Sequence, residues 1–99
     1  QAYLLAMFRV AQVMRPRDAE NAPSEEACWK MVEEGVYIDA NATLEAAMPM
    51  FDKSAVVFLP VLAIRGEGQA PDLRGALFHM DALKAYNKAL AATAKEEHS

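Results

Sequence analysis

The order of apolar patterns between residues 36 and 90 limits the possible folds more than any other feature of the chain. Short apolar runs rich in β-branched side chains predict strands, and apolar side chains three and four residues apart predict helices. In order, the predicted elements are a strand at 36–38, a helix at 43–53, a strand at 55–64, a strand at 73–78 and a helix at 81–94. The sequence therefore predicts an α+β fold, ordered β-α-β-β-α, around a small three-stranded sheet.

Helices are also predicted before residue 36. Apolar side chains at helical spacing predict a helix over residues 2–14, which should end before Pro16 because proline disfavours helix at the preceding residue. Ser24 is a suitable cap for a second helix, and Gly35 a suitable residue to end it. The predicted sheet is therefore preceded by N-terminal helices.

Two prolines fall inside predicted elements. Pro49 lies within the helix at 43–53, where a proline removes one backbone hydrogen bond and costs about 3 kcal/mol, so we expect a kink or an irregular turn. Pro60 interrupts the strand at 55–64, and a proline in a strand indicates a sheet edge or a bulge.

Composition excludes several classes of protein. The 99 residues suit one small domain, and the net charge of −4 argues against a general nucleic-acid binder. Cys28 is the only cysteine, which rules out an internal disulfide and suits a reducing compartment. The longest apolar run has ten residues, whereas a membrane span needs about 20. Because the chain opens on Gln1 within a predicted helix, we expect it to be part of a longer protein.

Four short motifs occur in a fixed order along the chain. They are Val-Ala-Gln-Val-Met at 10–14, Thr-Leu-Glu-Ala-Ala at 43–47, Leu-Pro-Val-Leu at 59–62, and Gly-Ala-Leu followed by Asp at 75–81. Together they resemble the CBS motif, a small regulatory module named after cystathionine β-synthase. The resemblance implies that residues 36–99 form one CBS motif and that residues 1–35 are a helical linker or the tail of a preceding CBS unit. CBS motifs pair with one another, and many bind adenine nucleotides in the cleft between them.

The last helix carries a narrower resemblance. Residues 81–90, Asp-Ala-Leu-Lys-Ala-Tyr-Asn-Lys-Ala-Leu, are similar to the end of the cytoplasmic CBS region of bacterial ClC-type chloride channels. This implies a cytoplasmic regulatory domain of a chloride channel or transporter in the inner membrane, which mediates dimerisation and senses adenine nucleotides. Its partners would be a second copy, through CBS–CBS pairing, and the membrane transport domain of its parent. The alternative is a ligand-free structural dimerisation module of another CBS-containing protein.

The resemblance also implies a site for ATP, ADP or AMP. By analogy with the family, Asp81 would accept hydrogen bonds from ribose hydroxyls, and Tyr37 and Val57 would line an apolar slot for adenine. Each residue also has a plainer interpretation. Asp81 can simply stabilise the positive end of a helix, worth about 0.3–1 kcal/mol, and Tyr37 and Val57 can be core residues.

The chain departs from the family pattern in two places. Phe78 stands where nucleotide-binding members have Ser or Thr, and it cannot donate a hydrogen bond to phosphate. About twenty residues, 15–35, separate Met14 from the first predicted strand, where the family usually has only a few. Both departures favour the structural module over the nucleotide sensor.

Catalytic and metal-binding groups are not predicted. The sequence contains no nucleophile paired with a base, so we do not expect an enzyme. His79 and His98 do not have the spacing of metal ligands, and no Cys or carboxylate cluster adds to them.

Overall fold

A computed structural model describes residues 8–97 of the chain, with side chains through residue 91. It shows a mixed α+β fold, as the sequence predicts. The elements are α1 (Val10–Val13), β1 (Arg15–Pro16), α2 (Glu25–Glu33), β2 (Ile38–Asp39), α3 (Leu44–Ser54), β3 (Phe58–Ala63), β4 (Asp72–Phe78) and α4 (His79–Glu97).

The sheet has four strands in the order β1-β4-β3-β2, so the prediction of three strands was wrong. β1 supplies the fourth strand by antiparallel pairing of Arg15 with Ala76 and of Pro16 with Gly75. Residues before a proline favour extended backbone, which suits Arg15 for a strand. Gly75 allows the close approach, because a Cβ atom there would overlap the Arg15 carbonyl oxygen and lie 3.1 Å from the Cα of Pro16.

Pro60 lies in the central strand β3, not at an edge as one reading of the sequence predicted. The Leu62 carbonyl accepts a hydrogen bond from the Ala40 amide at 2.8 Å, so the backbone polar groups of Leu62 face β2. Residues two apart in a strand direct these groups to the same side, so those of Pro60 also face β2. Pro60 has no amide hydrogen to donate to the segment before Ile38. The parallel pairing accordingly begins with Ile38 opposite Val61. A bulge does lie nearby, since the register with β4 shifts between Val61 and Leu62.

Helices α3 and α4 pack on the same face of the sheet and against each other. Phe51 of α3 is 1% exposed and lies in the same cluster as Leu59 of β3 and Leu77 of β4. The buried members of this larger core are Val10, Ile38, Leu44, Ala47, Phe51, Leu59, Val61, Leu77 and Ala82. Leu44, Ala47 and Phe51 form the buried face of α3, and this core fixes the relative position of the two helices.

Helix α2 covers part of the opposite face. Its buried Cys28 contacts Leu62 and Leu73, which form a second, smaller cluster. Ser24 caps this helix by accepting a hydrogen bond from the Ala27 amide at 3.2 Å, as its sequence position predicts. Gly35 follows the helix in the left-handed region, with φ of +82°. In the described part of the chain, helices therefore contact both faces of the sheet.

Helix α3 runs without interruption through the exposed Pro49, where an irregularity was expected. Thr43 caps the helix, because its hydroxyl accepts from the Ala46 amide at 3.2 Å. The helix ends at Ala55, which adopts a left-handed conformation with φ of 53°. This residue was predicted to start the strand, but a left-handed residue cannot continue a pleated strand, and β3 begins at Phe58 instead.

The outer helices also differ from their predicted extents. Of the predicted helix over residues 2–14, residues 2–7 lie outside the described part, and α1 begins only at Val10. Arg9 is extended and bridges to Thr43, which ends the helix on that side. At the other end of the chain, α4 begins at His79 rather than at Asp81 and reaches Glu97, beyond the predicted end at residue 94.

Candidate functional site

Asp81 lies in the first turn of α4, directly after β4, and its carboxylate is bound by Arg15. The Nε of Arg15 donates to Oδ2 of Asp81 at 2.9 Å, and the guanidinium Nη2 lies 3.5 Å from Oδ1. The two side chains are 26% and 27% exposed, so the ion pair is largely shielded from water. The carboxylate predicted to bind ribose is therefore engaged by a residue of the same chain.

The Arg15 side chain makes two further contacts. Its guanidinium carbon lies 3.8 Å from the centre of the Phe78 ring, within the range of a cation–π interaction. Its Nη1 donates to the carbonyl oxygen of Asn21 at 3.1 Å. Phe78 thus supports the arginine that neutralises Asp81. We call Arg15, Asn21, Phe78 and Asp81 the Arg15 cluster.

Within the described residues, the structure gives the three residues predicted to bind a nucleotide different surroundings. Tyr37 is partly buried against the small cluster beneath α2, on the face opposite the larger core. Val57 is 71% exposed and lines a groove beside α3. Neither Tyr37 nor Asp81 lines this groove. The core-packing interpretation suits Tyr37, whereas Val57 is a surface residue.

This groove lies between the end of α3 and the start of α4, and we call it the α3–α4 groove. Its volume is about 580 Å³. Its lining includes Phe51, Asp52, Val57, His79, Met80 and Leu83. Val57, Met80 and Leu83 are 71%, 66% and 40% exposed, so large apolar side chains face solvent around the opening. Exposed apolar patches of this kind are typical of interaction sites.

His79 forms part of the groove wall. Its ring stacks on Phe51 with centroids 4.6 Å apart and an angle of 13° between the planes. Its backbone amide donates to the Val57 carbonyl at 2.8 Å, which joins the start of α4 to the residue before β3. From its sequence, His79 was a candidate only for metal binding, and its spacing from His98 did not support that role. The sequence did contain a signal for a place in the groove. His79 lies at the junction between a predicted strand and a predicted helix, next to the apolar Met80.

Cys28 is the thiol buried beneath α2. Burial, and to a smaller extent the negative charge of Glu25, raises the pKa of this thiol above its usual range. A neutral, buried thiol is a poor nucleophile and a poor metal ligand. Across the described residues, His, Cys, Asp and Glu side chains nowhere form a group of three that could hold a metal ion.

Comparison with known proteins does not assign the chain to a family. No protein-family model matches the sequence, and a search of the curated proteins finds no match to it. Within residues 8–97, no helix is both long and apolar enough to cross a membrane. The features of the described residues that bear on function are the α3–α4 groove and the Arg15 cluster.

Proposed function

We propose that this chain is a self-association module of the CBS type, which pairs two copies of its parent protein through the α3–α4 groove. The exposed apolar rim of the groove carries this proposal. Removing Val57, Met80 and Leu83 from water would lower the free energy by roughly 25 cal/mol for each Å² of apolar surface buried. A partner that covers the groove with an apolar surface of its own is the simplest way to obtain this stabilisation.

The charges around the groove favour a second copy as that partner. Asp52 of α3 lines the groove and is exposed, and Lys84 of α4 is an exposed base that directly follows the groove residue Leu83. In a two-fold symmetric contact the same surface meets itself, so each acid of one copy can face a base of the other. A surface that carries both signs around an apolar centre is suited to this arrangement.

The order of elements from β2 to α4 supports the CBS type. It is β-α-β-β-α, with β2 parallel to β3, β3 antiparallel to β4, and both helices on one face of the sheet. The resemblance of residues 81–90 to the end of a ClC-type cytoplasmic region extends the proposal to the parent. In this view the parent is a chloride channel or transporter of the inner membrane, and the module is its cytoplasmic regulatory domain.

We further propose that pairing needs no nucleotide, because Asp81 is already neutralised within the Arg15 cluster. The ribose of an adenine nucleotide would have to compete with Arg15 for this carboxylate. Sensing by Asp81 remains the second candidate function.

The pairing is tested by analytical ultracentrifugation at micromolar concentration. We expect a dimer for the natural sequence and a monomer for Leu83→Glu, which places a charge in the groove. Leu90→Glu is the matched control, since Leu90 is similarly exposed, at 43%, on the same helix but does not line the groove. A monomeric natural chain, or equal effects of the two substitutions, would refute pairing through the groove.

The ligand-free aspect is tested by calorimetry with ATP, ADP and AMP. We expect no binding heat from the natural chain or from Arg15→Gln. Binding by either protein that disappears when Asp81→Asn is added would instead establish the sensor.

A further inference from the structure

An acid and a base beside the α3–α4 groove have no ionic partner within the described part of the chain. Asp52 lines the groove from α3 and is exposed, and Lys84 is exposed on α4. Lys84 lies four residues after the groove residue Met80, and side chains four apart are neighbours on one face of a helix. The ion pairs among the described residues include neither Asp52 nor Lys84, so both charges are available to a partner.

Asp52 is also poorly placed for the stability of its own helix. Helix α3 ends at Ser54, so Asp52 lies in the last turn, where the negative end of the helix disfavours an acid. The adjacent Lys53 does not compensate, because neighbours in sequence do not face each other on a helix. The carboxylate of Asp52 is therefore unfavourable in the single chain, and a base from outside the chain would offset this.

Two-fold pairing over the groove allows two opposite arrangements. Where the symmetry axis runs along the groove, α3 of one copy faces α4 of the other, so that Asp52 approaches Lys84 of the second copy. Where the axis runs across the groove, each helix faces its own equivalent, and acid approaches acid and base approaches base. Opposite charges attract and like charges repel across an interface, so Asp52 and Lys84 favour the first arrangement.

We propose that the two copies pair with α3 against α4, and that Asp52 of one copy binds Lys84 of the second copy. This inference rests on the proposed pairing and specifies its orientation. By symmetry the ion pair forms twice. Exposed ion pairs contribute little free energy, so the apolar rim supplies most of the affinity and the two charged residues select the arrangement.

The test is the dissociation constant of the dimer, measured by analytical ultracentrifugation of the full chain near neutral pH and at constant low ionic strength. Asp52→Asn removes both ion pairs and should weaken pairing by about two- to thirty-fold. Glu45→Gln is the matched control, because Glu45 is also an exposed acid of α3 but does not line the groove. It makes the same change in net charge and should not weaken pairing.

Exchange of the two charges gives a second measurement. Asp52→Lys alone places bases opposite each other and should weaken pairing more than Asp52→Asn does. Adding Lys84→Asp to the same chain brings opposite charges together again in the proposed arrangement, so the double variant should recover most of the natural affinity. Both positions are exposed, so these substitutions leave the core unchanged. If each helix instead faced its own equivalent, Asp52→Asn would relieve a repulsion and tighten pairing.

The possible results separate the two proposals. A dimer that Asp52→Asn leaves unchanged or tightens, or a double variant as weak as Asp52→Lys, overturns the orientation and leaves pairing intact. A natural chain that stays monomeric overturns the pairing proposal and this inference with it.

Discussion

Gly75→Ala is expected to detach β1 from the sheet. The new Cβ atom would overlap the Arg15 carbonyl oxygen and lie 3.0 Å from the Arg15 carbonyl carbon. These are backbone atoms, so no side-chain rotation relieves the overlap. β1 would have to retreat by about 1 Å or more to restore ordinary contact distances.

The cost follows from the interactions that depend on this approach. Retreat of β1 weakens its ladder with β4 and the adjoining hydrogen bond from the Arg17 amide to the Arg74 carbonyl, 3.0 Å long. Hydrogen bonds of this kind contribute about 1 kcal/mol each. Loss of the contact between Arg15 and Phe78 adds about 0.5–1 kcal/mol. Alanine also lowers the conformational entropy of the unfolded chain, which offsets up to about 1 kcal/mol of this loss. We therefore expect the free energy of unfolding to fall by about 2–3 kcal/mol.

Urea denaturation of Gly75→Ala and Gly66→Ala measures this effect. Gly66 is the matched control, because no atom lies within 4 Å of the position a Cβ would take there. The control should be neutral or slightly stabilised. A variant at Gly75 as stable as the one at Gly66 would refute the argument that the missing side chain positions β1.

Three further outcomes are expected. Pro49→Ala should raise the free energy of unfolding in urea by up to about 3 kcal/mol, because the exposed position regains an amide that can donate to the Glu45 carbonyl; an unchanged midpoint would contradict this. Burial raises the pKa of the Cys28 thiol, so at alkaline pH this thiol stays protonated in the folded chain but ionises in the unfolded chain. The free energy of unfolding should therefore fall as the pH rises through about 8 to 10. Denaturation curves of Cys28→Ala should show a smaller fall over the same range. Ser24→Ala should lose about 1 kcal/mol with the hydrogen bond from the Ala27 amide, and helix α2 should exchange its amide hydrogens faster.

Local signals were sufficient to predict most helices and strands. Ser24 and Thr43 each accept the capping hydrogen bond that their positions predict, so the starts of α2 and α3 could be read from sequence. The ends were less predictable where the chain departs from standard signals. Ala55 closes α3 in a left-handed conformation that normally favours glycine, and no local pattern indicates an alanine there.

Long-range contacts account for what the sequence did not predict. β1 has only two residues and no alternating pattern, and it becomes a strand because β4 offers Gly75. A glycine inside a predicted strand was the available signal, since it often marks a close backbone approach.

The candidate site shows the same limit. Asp81 was identified from its place at the start of a helix, yet its partner Arg15 is 66 residues away, and no spacing rule joins them. The α3–α4 groove was likewise missed, because periodicity predicts an apolar face without indicating whether a neighbouring element covers it.

The short outer strands restrict how this molecule can polymerise. An open row of backbone amides and carbonyls is a template for another chain, and long flat edges lead to fibrils. Here each border of the sheet is a strand of two residues, and Pro16 on one border has no amide hydrogen to offer. In the described part of the chain, the borders of the sheet therefore offer a poor template for strand addition by another polypeptide.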